Sequence, residues 1–167
     1  MNYSDIYLVG CSYLECYARS HPQTELAKFF PAARITNLTK GGTSFDCHER
    51  VLVDTVSIEQ PKKLLVVWGL TYWNRFELPD TDLSTGEIKI NQFNPVEKPD
   101  LNPNINKFVV QNHYHRVGNR NYYIARQLNK IITITGWLKS LGHDYIIFNQ
   151  ADDFIAEYVT ANTTRYQ

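Results

Sequence analysis

Apolar runs alternate with amphipathic stretches along the chain, and this alternation predicts a layered α/β fold. Stretches built around a continuous apolar run, which is typical of a strand buried on both faces, occur at residues 6–9, 62–70 and 144–149. A shorter extended piece is predicted at residues 34–38. Because strands alternate with helical patterns, the sheet is predicted to be parallel, with three layers and its ligand site at the carboxyl ends of the strands.

Capping residues and proline positions indicate where the helices between these strands begin and end. Thr24 can cap one segment, and Ser44 can cap a longer helix that Pro61 stops. Residues 121–141 are predicted to form a long helix, and Gly142 is placed to cap its C-terminus.

A long insertion separates the third strand from the last helix. Residues 75–121 contain four prolines and many Asn and Asp residues. Within them, a turn at Thr85 and Gly86 flanked by alternating residues predicts a small hairpin. We therefore expect one domain over residues 1–167, with an insertion or flap at about 76–120.

Composition narrows the class of protein further. The 167 residues suit a single core, and 17 Lys and Arg balance 17 Asp and Glu. A neutral chain without a basic block argues against nucleic-acid or anionic-membrane partners. The N-terminus lacks a signal-peptide pattern, and no apolar run approaches the roughly 20 residues that span a bilayer. A cytoplasmic location is the expectation.

The first three predicted strands are followed by small, glycine-containing turns, and the last ends at Asn149 and Gln150. These turns are residues 10–12, 41–43 and 69–71, and the parallel sheet should bring them together. Ser12, after the first strand, would have its hydroxyl held where backbone N–H groups and a helix dipole favour a developing negative charge. The alternative is that Ser12 is an ordinary helix N-cap.

These turns resemble the sequence blocks of the SGNH (GDSL-like) hydrolase family over roughly residues 3–149. The first block reads Gly10-Cys11-Ser12 here, with Ser12 at the nucleophile position and Cys11 in place of the usual aspartate. "NLTKGGTS" resembles the second block and puts Gly42 at the oxyanion position. In "WGLTYWNR", Thr71 stands where the family has asparagine, and its hydroxyl can donate one hydrogen bond.

The resemblance implies a flavodoxin-like α/β domain of the kind that carries esterases, lipases and carbohydrate acyl-hydrolases. It also implies a fourth block, Asp-x-x-His, in which His is the general base and Asp orients it. Residues 150–167 contain no histidine. Either the sequence ends before that block or the protein lacks a base of the family type.

Other histidines offer a substitute base. His113 and His115 in "QNHYHR" lie in the insertion, and His115 could fold back onto Ser12. The alternative is a pair of exposed loop histidines. Two histidines make a poor zinc signal, so no metal is expected. His48, inside a predicted helix, is interpreted as structural.

Trp73, Arg75 and Glu77 follow the third strand and are candidates for substrate binding. Arg75 and Glu77 are two residues apart, so they share one side of an extended segment. Beside aromatic residues they could bind a polar or sugar-like substrate, although an exposed ion pair explains them equally.

Together these residues predict a hydrolase in which Ser12 attacks an ester or O-acyl carbonyl. The N–H groups of Gly42 and Ser12 and the Thr71 hydroxyl would hold the oxyanion. No metal or organic cofactor follows from this chemistry, and the expected substrate is a small ester or an acylated carbohydrate. The alternative is a non-catalytic relative that keeps the fold as a binding or structural module, which the replacement at Thr71 and the missing Asp-x-x-His favour.

Overall fold

Strands and helices follow one another in the alternation that the sequence predicts. The computed structural model describes residues 2–11, 14–15, 22–41, 43–71, 76–81, 85, 88–93 and 120–149. The elements, in chain order, are β1 (Asp5–Val9), α1 (Pro22–Phe29), β2 (Arg34–Asn37), α2 (Phe45–Glu59), β3 (Leu64–Leu70), β4 (Phe76–Thr81), β5 (Ile88–Phe93), α3 (Arg120–Ser140) and β6 (Asp144–Asn149).

Four of the strands form a parallel sheet in the order β2-β1-β3-β6. Tyr7 of β1 is aligned with Thr36 of β2 and with Val66 of β3, and Trp68 of β3 is aligned with Ile147 of β6. Every residue of β1 is buried, as expected for a strand with a partner on each side and a layer on each face. The α/β class is therefore confirmed.

The core is divided by the sheet into two layers. Because side chains alternate along a strand, Tyr7 and Trp68 point to one face, where they pack with residues of α2 and α3. Ile6 and Leu65 point to the other face, where Leu26 of α1 packs against them. Helices thus lie on both faces of the sheet.

The predicted cap of α2 is confirmed. The Ser44 hydroxyl oxygen accepts a hydrogen bond from the Cys47 N–H at 3.2 Å. The helix ends at Glu59, before Pro61, because Gln60 adopts a left-handed conformation with φ of 44° and its N–H donates to the Val56 carbonyl. The cap matters for function because it fixes where α2 begins, directly after the loop that follows β2.

Two other helix boundaries differ in how closely they match the prediction. α3 ends at Ser140, and Gly142 caps its C-terminus as expected, with a φ of 79°. The Gly142 N–H donates to the Lys139 carbonyl, and the His143 N–H donates to the Leu138 carbonyl. These two hydrogen bonds form a Schellman motif. α1 begins at Pro22 and not at a Thr24 cap, because proline is well suited to the first position of a helix.

The insertion contains the predicted hairpin. β4 and β5 pair in antiparallel fashion, with Phe76 opposite Phe93 and Thr81 opposite Ile88. Residues 82–87 connect them, which is the stretch that contains the predicted turn.

The prediction that β6 is a buried strand is wrong. Ile146 is 53% exposed and Phe148 is 38% exposed, whereas Tyr145 and Ile147 pack against the core on the other face. Within the described part of the chain β6 pairs only with β3, so it lies at an edge of the sheet. An apolar run therefore did not mean burial on both faces here.

Candidate functional site

The carboxyl ends of β1 and β3 and the loop that follows β2 meet at one edge of the sheet. β1 pairs in parallel with both β2 and β3, so the three strands point the same way. Leu38 extends the pairing past the end of β2, since its N–H donates to the Leu8 carbonyl at 2.8 Å. In open α/β sheets this edge is where ligands bind.

The loop between β2 and α2 is held against the end of β1. The Asn37 side-chain oxygen accepts from the N–H and the hydroxyl of Thr39, at 3.0 and 2.6 Å, which forms a local turn that Asn favours. The Lys40 N–H donates to the Gly10 carbonyl at 3.1 Å. The Thr43 hydroxyl donates to the Lys40 carbonyl at 2.7 Å, and its oxygen lies 3.4 Å from the Gly10 carbonyl oxygen. We call residues 40–43 the glycine segment.

Thr71, the first residue after β3, is tied to the same segment. Its side chain is fully buried, and its hydroxyl donates to the Thr43 carbonyl at 2.9 Å. A hydroxyl has one proton to donate, so in this arrangement Thr71 supports the glycine segment. Donation from Thr71 to an oxyanion stays a prediction, and it would use that same proton.

A buried network of three side chains, Thr43, His48 and Trp68, lies behind the glycine segment. The Trp68 indole N–H donates to His48 Nδ1 at 3.1 Å, and His48 Nε2 lies 2.9 Å from Thr43 Oγ1. Because an indole nitrogen can only donate, Nδ1 must accept. The hydrogen-bond pattern thus assigns the neutral Nε2–H tautomer to His48, which donates to the Thr43 oxygen.

Thr43 and Trp68 were not predicted as site residues. The prediction that His48 lies inside a helix is confirmed, and its side chain is only 2% exposed. One signal could have found the network: a buried tryptophan needs an acceptor for its indole N–H.

Two residues shortly after β1, Leu14 and Glu15, have helical conformation, and the Glu15 N–H donates to the Cys11 carbonyl at 2.9 Å. The Cys11 side chain is completely buried, and a buried cysteine behaves as a small apolar residue. Helical conformation at Leu14 and Glu15 agrees with the expected helix after the first strand, whereas Ser12 itself lies outside the described residues.

Most predicted site residues lie outside the described residues. These are Ser12, Gly42, Trp73, Arg75 and His115. Glu77 lies in β4, where its backbone is aligned with Gln92 of β5, and its side chain is outside the description. The structure brings Thr71 together with Thr43, the chain neighbour of Gly42, and it ties Lys40 of the same segment to Gly10, two residues before Ser12.

Ion pairs fasten the beginning of α2 to α3. Asp46, in the first turn of α2, contacts Arg126 at 3.0 Å and Lys130 at 2.9 Å. Burial lowers the pKa of Lys130, but hydrogen bonds to Glu49 and Asp46 outweigh burial and leave that pKa raised. Lys130 thus stays charged and holds the two helices together behind the glycine segment.

Among the described residues, no group of three His, Cys, Asp or Glu side chains is arranged to hold a metal ion. In the same part of the chain, no helix combines the length and apolar character that crossing a membrane requires. Comparison of the sequence with models of known protein families and with curated proteins finds no match to either.

Proposed function

We propose that this protein is a serine hydrolase of the SGNH type, acting on an ester or O-acyl group through Ser12. The sequence blocks support the proposal, and so does the fold, because the order β2-β1-β3-β6 matches the first four strands of the flavodoxin-like order. A cytoplasmic location and a small ester or acylated carbohydrate as substrate are parts of the same proposal.

One observation carries the proposal: the glycine segment is hydrogen-bonded to the end of β1 and to the residue after β3. The Lys40 N–H reaches Gly10, and the Thr71 hydroxyl reaches Thr43. Ser12 is two residues beyond Gly10, and Gly42 directly precedes Thr43. These connections support the proposal that Ser12 and Gly42 act together at this edge of the sheet.

The proposed reaction proceeds through an acyl-enzyme. Ser12 Oγ attacks the carbonyl carbon of the substrate while a base takes its proton, and the N–H groups of Ser12 and Gly42 stabilise the oxyanion that forms. The intermediate collapses, the alcohol leaves with the proton, and water then releases the acid and restores Ser12. His115 is the candidate base within this chain.

Substrate contacts are assigned to the segment after β3. Trp73, Arg75 and Glu77 would line the rim, where an aromatic face and two charges suit the hydroxyl groups of a sugar. A panel of short p-nitrophenyl esters and acetylated sugars, with Arg75→Ala as the variant, tests this choice, since loss of activity on acetylated sugars alone supports a carbohydrate substrate.

A second candidate function is a binding module without catalysis. The observation that favours it is the Thr71 hydroxyl, whose proton goes to the Thr43 carbonyl at the position where the family carries an asparagine donor. Such a module would keep the edge of the sheet as a pocket without turning over an ester.

A serine-reactive fluorophosphonate probe separates the two functions. The expected result is covalent labelling of the wild type that Ser12→Ala abolishes. Ser57→Ala, which removes an exposed serine from α2, is the matched control and should label like the wild type. Absence of labelling in folded wild-type protein, or labelling that persists in Ser12→Ala, would reject Ser12 as the nucleophile.

A further inference from the structure

The imidazole of His48 is fixed on two sides by regular secondary structure. It belongs to the first turns of α2, where its backbone N–H donates to the Ser44 carbonyl at 3.1 Å. Trp68 of β3 donates to Nδ1, and the His48 and Trp68 rings also meet edge-on, with centroids 6.4 Å apart. A helix and a strand thus set the direction in which Nε2 points.

That direction determines how the Thr43 hydroxyl is oriented. His48 Nε2–H donates to the Thr43 oxygen, so the hydroxyl proton has to point elsewhere. The proton points to the Lys40 carbonyl oxygen, which lies 2.7 Å from Thr43 Oγ1, whereas the Gly10 carbonyl oxygen lies 3.4 Å from it. The hydrogen bond from Thr43 to Lys40 joins the two ends of the glycine segment, within which Gly42 lies.

We propose that His48 is a positioning residue, which acts through Thr43 to hold the glycine segment and its Gly42 N–H in place for an oxyanion. The catalytic consequence rests on the proposed function, whereas the hydrogen-bond pattern is a property of the fold. Position matters because an oxyanion donor has to lie about 2.7–3.1 Å from the charge it stabilises. A misplacement of about 1 Å can cost about 100-fold in rate.

The first experiment determines the tautomer and does not depend on catalysis. Long-range proton–nitrogen NMR of the nitrogen-15-labelled protein at neutral pH distinguishes a protonated Nε2 from a protonated Nδ1. We expect His48 to carry its proton on Nε2, and Trp68→Phe, which removes the donor to Nδ1, to weaken that preference. A wild-type ring protonated on Nδ1 or on both nitrogens would overturn the proposal.

The second experiment tests the link from His48 to the glycine segment. Thr43→Val keeps the shape of the side chain but removes the hydroxyl, whereas Thr43→Ser keeps the hydroxyl. Thr55→Val is the matched control, because Thr55 is bonded only within α2, to the Val51 carbonyl at 2.7 Å, in the contacts described. We expect Thr43→Val to slow fluorophosphonate labelling of Ser12 by at least about tenfold, and Thr43→Ser and Thr55→Val to label at close to the wild-type rate.

A loss of stability alone would not give this pattern, since labelling is compared among variants shown by circular dichroism to be folded. Equal labelling rates in Thr43→Val and Thr43→Ser would overturn the proposal. If Thr43→Val does not fold, His48→Gln and Trp68→Phe take its place. Unchanged labelling rates in both variants would then overturn the proposal.

Failure of the proposed function is distinguishable from failure of this inference. If wild-type protein is not labelled, the hydrolase proposal fails, and amide hydrogen exchange then becomes the readout. We expect the Gly42 amide to exchange faster in Thr43→Val than in Thr43→Ser and Thr55→Val. Equal exchange in the three variants would show that the network does not position the segment.

Discussion

Two buried histidines, His48 and His143, show how the surroundings of one residue type decide its role. His48 is held between Trp68 and Thr43 at the carboxyl edge of the sheet. His143 lies just before β6, where its Nδ1 is 3.4 Å from the Leu64 N–H. Burial lowers the pKa of His143, because it disfavours the imidazolium, and the charge of Lys63 lowers it further.

This lowered pKa gives a prediction for stability against pH. Between the folded pKa of His143 and its ordinary value of about 6.5, the unfolded chain binds a proton that the folded chain does not. The contribution of neutral His143 to the free energy of unfolding is therefore complete above about pH 6.5, and it is lost as pH falls towards the folded pKa. In His143→Asn, whose side-chain oxygen can still accept from Leu64, we expect a smaller loss of unfolding free energy between about pH 7.5 and about pH 5.

Urea denaturation at the two pH values measures this difference. The comparison of wild type with His143→Asn isolates this residue, because all other titrating groups contribute to both proteins alike. An equal loss in wild type and His143→Asn would mean that His143 titrates alike in the folded and unfolded chain.

At the scale of single elements, helix ends follow from short stretches of sequence. Ser44 accepts from Cys47 at the start of α2, and Gly142 adopts a positive φ after α3. Each arrangement involves residues within a few positions of one another, so a local pattern is enough to predict it. The start of α1 was missed because a cap at Thr24 was predicted, although Pro22 suits the first helical position, which does not use the N–H that proline lacks.

Alanine substitutions at two glycines, Gly136 and Gly142, are predicted to change the free energy of unfolding in opposite directions. A Cβ at Gly136, within α3, or at Gly142 would meet no atom within 4 Å, so the two sites differ in backbone conformation alone. Gly136→Ala should raise the free energy of unfolding by about 0.5–1 kcal/mol, because alanine favours the helix. Gly142→Ala should lower it by about 1 kcal/mol, because a side chain is strained at a φ of 79°.

Chemical denaturation of both variants beside the wild type is the measurement. Changes of the same sign at both positions would show that the left-handed conformation does not determine the end of α3.

At the scale of the whole molecule, the parallel sheet decides which parts of the chain meet. Gly10, the glycine segment and Thr71 are far apart in the sequence, and hydrogen bonds join them at one edge, from the Lys40 N–H to Gly10 and from the Thr71 hydroxyl to Thr43. The alternation of strands and helices predicts such an edge, and glycine-containing turns predict which residues reach it. The contacts themselves, such as the proton given by Thr71 to Thr43, depend on distances that no spacing in the sequence contains.

The two faces of β6 provide a test of the layered architecture. Ile147 packs against the core beside α2 and α3, whereas its neighbour Ile146 is 53% exposed on the other face. Ile147→Ala should therefore lower the free energy of unfolding by about 2 kcal/mol or more. Ile146→Ala, the matched change one residue away, should cost no more than about 1 kcal/mol.

Thermal and urea unfolding of the two variants measures both costs. Similar large losses at the two positions would mean that the Ile146 face is also covered, as in a strand buried on both faces.

The sequence by itself determined the α/β class, most element boundaries, the cap of α2, the Schellman end of α3 and the hairpin in the insertion. It could do so because caps and periodicities act between residues a few positions apart. Only the tertiary structure decided that one face of β6 is exposed and that Thr71 supports the glycine segment. It also decided that Trp68 and His48 orient Thr43. These contacts join residues from different strands and helices, and their geometry exists only once the sheet and both helical layers have packed.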